Sequence, residues 1–128
     1  MSERKYLSDL SRQIEKELPD VYWKKIGDTF GGHKRLDVFA FYNRRGFIFE
    51  FKLAGQKVGG VQELALWRAS RSAHVFIAEF YAPPGSTCNR NVRFFHVSNG
   101  AVRLLQFYLK WDSGRYINLG AFLPSLTI

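Results

Sequence analysis

Three charged residues, Asp37, Glu50 and Lys52, are set inside apolar runs. The first run is Arg35-Leu36-Asp37-Val38-Phe39-Ala40-Phe41-Tyr42 and the second is Phe47-Ile48-Phe49-Glu50-Phe51-Lys52. A charge in an apolar strand is unfavourable unless it is paired or bound to a metal. Side chains alternate along a strand, so Glu50 and Lys52 share the face of Ile48, while Phe47, Phe49 and Phe51 take the other. Two carboxylates brought together repel unless a cation lies between them. The set offers oxygen donors and no His or Cys, which suits Mg²⁺ or Mn²⁺, ions that keep waters and accept phosphate oxygens as further ligands. A lysine beside such an ion can orient or deprotonate an attacking water, or stabilise charge developing on a phosphate. The chemistry these residues suit is metal-assisted phosphodiester hydrolysis. The competing explanation is a buried Glu50–Lys52 or Asp37–Lys52 ion pair in a core without catalysis.

The two runs must be held side by side, and the residues between them predict how. Asn43-Arg44-Arg45-Gly46 suits a four-residue turn, with Asn at the first position of a type I turn and Gly at the last. Antiparallel strands leaving that turn pair Tyr42 with Phe47 and Asp37 with Lys52. Asp37 and Glu50 then become diagonal neighbours on one face.

Other elements follow from periodicity and punctuation. Residues 3–18 predict a helix, with Leu7, Leu10, Ile14 and Leu18 at helical spacing and Pro19-Asp20 as its stop. Residues 21–27 predict a strand, and 28–34 a loop centred on Gly31-Gly32 that carries His33 and Lys34 just before Asp37. After the hairpin comes a loop over 53–60 with Lys57, then a helix over 61–71 and a strand over 73–81 apolar enough to be buried on both faces. A strand over 92–98 leads to Asn99-Gly100, a hairpin turn signal. Residues 101–111 read equally as a return strand or a helix. The order helix, strand, strand, strand, helix, strand, strand predicts an α/β fold: a mixed sheet flanked by helices.

Composition narrows the partners. The 128 residues suit one domain spanning 1–128, and 46% hydrophobic residues with 16% aromatics argue against disorder. No apolar run is long enough for a transmembrane helix. The single cysteine, Cys88, excludes an internal disulfide and fits an intracellular, reducing compartment. A net charge of +8, spread along the chain, implies a folded basic face for a polyanion, either nucleic acid or an anionic membrane surface. Tyr22, Trp23, Trp67 and Trp111 are either base-stacking platforms or core.

The spacing of Asp37, twelve residues, then Glu50-Phe51-Lys52 resembles the PD-(D/E)XK nuclease superfamily signature. Within it the chain is most similar to virus-type replication-repair nuclease (VRR-Nuc) domains and archaeal-type Holliday-junction resolvases. Those follow the Glu-x-Lys strand with a loop and a helix opening near a glutamine. Gln62, ten residues after Lys52, matches that glutamine, and Trp67 fits the apolar position behind it. Leu36 stands where the superfamily usually has proline. The resemblance covers roughly residues 3–80 and implies a restriction-endonuclease-like core. It implies Asp37 and Glu50 as metal ligands for Mg²⁺ or Mn²⁺, Lys52 as catalytic and Gln62 as supporting the site. Glu3, on the first helix, is the match to an acidic residue that some members add. His33, Lys34, Arg35 and Lys57 are the expected DNA contacts. The implied activity is a metal-dependent DNA endonuclease selective for branched DNA. Paired cuts at a junction call for a homodimer; the sequence does not show which surface dimerises, and the apolar stretch Ile117 to Ile128 is a candidate. The alternatives are a nucleic-acid-binding protein that does not cut, and a subunit or inhibitor of a larger replication or viral machine.

Overall fold

The computed structural model describes residues 3–25, 37–98 and 100–126, with side chains from Lys5 onward. Helix α1 (Glu3–Glu17) leads into β1 (Tyr22–Lys25). Strands β2 (Val38–Tyr42) and β3 (Arg45–Leu53) form the central hairpin, and α2 (Gly60–Ala69) connects β3 to β4 (His74–Tyr81). Strands β5 (Asn91–Ser98), β6 (Ala101–Asp112) and β7 (Arg115–Ile117) follow. A 3-10 turn (Leu119–Ala121) and α3 (Phe122–Leu126) come last. The seven strands lie side by side in chain order. All neighbours are antiparallel except β3 and β4, whose parallel pairing requires the crossover that α2 supplies.

The sheet separates two cores, as the alternation in β3 requires. Phe47, Phe49 and Phe51 enter the larger one, with Tyr6, Leu10 and Ile14 of α1 and Leu119, Phe122, Leu123 and Leu126 of the C-terminal segment. The buried α1 residues recur every four positions, the spacing of one helical stripe. On the other face Ile48, Leu66, Val75 and Val97 form a smaller core beneath α2. Phe49 sits among the rings of Trp23, Phe47, Phe51, Phe76, Phe94 and Phe122, at centroid distances of 5.4 to 6.4 Å. Replacing such a buried phenylalanine by alanine costs about 3–5 kcal/mol. The same packing fixes the rotation of β3, and therefore the direction in which Glu50 and Lys52 project.

Strand β7 ends one side of the sheet, and α1 covers its backbone. The Gln13 amide donates to the Tyr116 carbonyl at 2.7 Å and accepts from the Tyr116 N–H at 2.8 Å. These two bonds replace a ladder partner and blunt an edge that would otherwise invite pairing.

Two expectations about the hairpin, its turn length and its register, are corrected. The hairpin turn has two residues, Asn43 and Arg44, because Tyr42 pairs with Arg45. Both turn residues have positive φ, 49° and 62°, which is the type I′ geometry whose twist matches the strands. Asparagine tolerates that region, whereas arginine there is strained by about 1–2 kcal/mol. The shorter turn moves the register by two residues. Val38 pairs with Phe49, so continuing the ladder by one residue sets Asp37 across from Glu50, not Lys52. A two-residue shift preserves the shared face, which a one-residue shift would have destroyed.

Residues 101–112 are a strand. Their pattern left strand and helix open because the register with β5 shifts between Arg93 and Phe95, so the alternation breaks in mid-strand. The apolar side chains of the C-terminal stretch are turned inward, while Gly120, Ala121, Pro124 and Ser125 between them are exposed. Leu119, Phe122, Leu123 and Leu126 are buried in the chain's own larger core.

Candidate functional site

Glu50 is a charged residue in an apolar strand, and its burial is nearly complete at 3% exposure. A carboxylate so enclosed requires compensating donors. Strand and helix supply them from opposite sides. Gln62, in the first turn of α2, donates its amide to Glu50 Oε1 at 2.5 Å. Lys52, two residues along β3 on the same face, brings Nζ to 3.5 Å from the same oxygen. The loop over residues 54–59 lets α2 begin just beyond the end of β3, so its first turn faces the strand's carboxylate.

Asp37 stands at the residue before β2. It donates its backbone N–H to the Phe49 carbonyl at 3.2 Å, and its Oδ2 accepts the Phe51 N–H at 2.7 Å. The carboxylate thus occupies the hydrogen-bonding edge of β3 where β2 no longer pairs. Val38 faces the larger core, so alternation sets the Cβ of Asp37 on the Glu50 side of the sheet. Both carboxylates are therefore tied to the three-residue span Phe49–Phe51 of one rigid strand.

The next strand extends this row. Lys52 is in register with Glu79, and Glu79 with Arg93 of β5. Arg93 Nε donates to Glu79 at 2.6 Å, and its guanidinium lies 4.7 Å from the centre of the Tyr81 ring. The Glu79 carboxylate is thereby engaged by Arg93, while the Lys52 ammonium lies against Glu50. Sequence reasoning did not single out Glu79 or Arg93. The usable signal was alternation in β4, which sets Glu79 on the face of Ile77.

The sequence matches no protein-family model and no curated protein. Among solved structures, 73% of this chain superposes on 75% of Archaeoglobus fulgidus Hjc, described as a Holliday junction resolvase from an archaeal hyperthermophile. The TM-score is 0.52 and the identity 17%. The chain shares the restriction-endonuclease-like α/β fold of that protein.

In this chain the fold brings Gln62 and Lys52 onto Glu50 and sets Asp37 across the hairpin from it. Lys57 is exposed on the loop between β3 and α2. His33, Lys34, Arg35 and the Glu3 side chain lie outside the described residues. Helix α1, which Glu3 opens, packs on the face opposite Glu50. Of the aromatic candidates, Trp23 is core, with its indole N–H donating to Ser11 Oγ at 2.9 Å, and Trp67 and Trp111 pack against the two cores. Tyr22, 57% exposed, remains available for stacking.

The donor set bears on a metal. Among the described residues no three His, Cys, Asp or Glu side chains cluster. Two carboxylates, both oxygen donors, fit a hard divalent cation that keeps most of its ligands as water or phosphate oxygen. They do not fit zinc, which favours nitrogen and sulfur. Among the described residues no helix is long and apolar enough to cross a membrane.

Proposed function

We propose that this chain is a Mg²⁺- or Mn²⁺-dependent endonuclease that hydrolyses phosphodiester bonds in branched DNA. The observation that carries the reading is Glu50: an almost fully buried carboxylate, held by Gln62 and Lys52, in a fold shared with a Holliday junction resolvase. Asp37 and Glu50 would hold the cation. When bound, it would polarise the scissile phosphate and acidify a coordinated water. The chain's own residues do the rest. Gln62 fixes the Glu50 carboxylate so that it does not reorganise during the reaction. Lys52, only 18% exposed, places a positive charge where screening by water is weak, and stabilises negative charge developing on phosphate oxygens. The +8 net charge draws the polyanion to that face.

Selectivity for branched DNA is supported by the fold shared with a Holliday junction resolvase, and no element among those described is a base-reading module of the helix-turn-helix or zinc-finger kind. Paired cuts at a four-way junction would need paired sites, hence a homodimer.

A second reading has its own support. Lys52 sits 3.5 Å from Glu50, and an ammonium there neutralises the carboxylate without any metal. A protein so built would hold nucleic acid without cutting it. Incubation with labelled duplex, single-stranded and four-way-junction DNA, in Mg²⁺ and in EDTA, separates the two. Metal-dependent cleavage that favours the junction supports the first reading, and binding without cleavage supports the second.

A further inference from the structure

At the end of the sheet away from Glu50, a cleft of about 650 Å³ opens between the β2–β3 turn, the segment joining α2 to β4, and the end of β5. Its lining is one-signed. Arg44 and Arg45 come from the turn, Arg71 and Ser72 from the segment after α2, His74 from the start of β4 and His96 from β5. Among the described residues no carboxylate pairs with Arg44, Arg45 or Arg71, whereas Arg12, Arg93 and Arg115 each have one. The charges that act on His96 belong to His74 and Arg103, both of which disfavour its protonation. The negative pole of α2 points this way as well, but a helix end amounts to about half a charge against three guanidinium groups.

The backbone gives an independent observation. Arg44 holds φ at 62° in the second position of a type I′ turn, where glycine is the favoured residue. A strained residue kept in place of the unstrained one points to a use for its side chain. Arg44 lines the cleft.

We infer that this cleft is a second phosphate-binding site, built by Arg44, Arg45 and Arg71 with His74 and His96, that grips the nucleic-acid backbone at a distance from the Glu50 site. Arg45 precedes Glu50 by five residues on β3, which is about 17 Å along an extended strand. That is the rise of about five base pairs. A single duplex arm is long enough to reach from one site to the other. The inference rests on the nucleic-acid reading above but not on catalysis.

The test is therefore binding in EDTA. DNA affinity across a salt series is compared for the wild type, Arg44→Gly, Arg71→Ala and Arg12→Gln. The last removes one positive charge from α1, outside the cleft. Arg44→Gly relieves the turn, so its Tm does not fall, and any loss of affinity is not a loss of folding. Arg44→Gly and Arg71→Ala are each expected to weaken DNA binding about tenfold near 0.1 M salt and to lower the salt slope by about one, beyond any change in Arg12→Gln. In parallel, the imidazole resonances of His74 and His96 are followed as duplex DNA or inorganic phosphate is added, and DNA is expected to move them. Affinities for Arg44→Gly and Arg71→Ala no weaker than that of Arg12→Gln would overturn the inference. So would imidazoles that respond to inorganic phosphate and not to DNA, which would make the cleft a small-anion site. A protein that binds through these arginines and never cuts would leave the inference standing and remove the nuclease reading.

Discussion

The Gln62 amide donates to the Glu50 carboxylate at 2.5 Å, joining the first turn of α2 to the middle of β3. That bond orients a buried charge that the flexible Lys52 also approaches. Gln62→Ala should therefore loosen the site without unfolding the protein. A drop of roughly 10–100-fold in metal affinity or turnover is expected, the usual effect of losing a group that orients a ligand. A metal titration of cleavage rate checks it, and wild-type values for both quantities would remove Gln62 from the site.

Lys52→Met deletes the ammonium while keeping the length of the side chain. Turnover should fall more than Mg²⁺ affinity, because the ammonium serves the developing charge and competes with the cation for Glu50. The variant removes one positive charge that competes with the cation at Glu50, so Mg²⁺ should raise its Tm more than that of the wild type. Calorimetry that found Mg²⁺ affinity abolished would contradict this role.

The link between α1 and the sheet is testable without any assay of function. Ser11→Ala removes the acceptor of the Trp23 indole, both residues being buried. A loss of about 1–3 kcal/mol in urea unfolding is expected, the consequence of a buried donor left unmet. An unchanged midpoint would show that the indole finds another acceptor.

His96 gives the fold a pH dependence. Burial first, then the positive charges of His74 and Arg103, hold its pKa below the ordinary 6.5. The unfolded chain therefore binds this proton more readily than the folded one. The contribution to stability is full above pH 6.5 and is lost as pH falls through the lowered folded value. Urea midpoints measured downward from neutral pH should decline less in His96→Gln than in the wild type. Parallel declines would assign the effect to other groups.

How much of this was legible in the sequence depended on whether the signal was local. Alternation in Phe47-Ile48-Phe49-Glu50-Phe51-Lys52 was enough to place Glu50 and Lys52 on one face, since a strand allows no other arrangement. Gln62 was picked out only by the resemblance to the nuclease signature, and the helix that carries it lies where good helix formers follow a glycine pair. The turn was misread because Arg44 at positive φ is a rare choice, and chain statistics favour glycine there. The face of Asp37 survived that error only because the register moved by an even number of residues. The Lys52–Glu79–Arg93 row and the arginine cleft were out of reach. Each joins segments distant in the chain, and pairing between distant strands is not written in any local pattern.

The most direct test of the account is single-turnover cleavage of a four-way junction in Mg²⁺ by the wild type, Asp37→Asn and Glu50→Gln, with junction affinity measured on the same preparations in EDTA. Both substitutions keep side-chain shape and remove one negative charge each. The account predicts a wild type that cuts only with the metal, and two variants that bind the junction as tightly as the wild type but cut it at least about a hundredfold more slowly. Wild-type cleavage by either folded variant, or a wild type that binds the junction and leaves it intact in Mg²⁺, would contradict it.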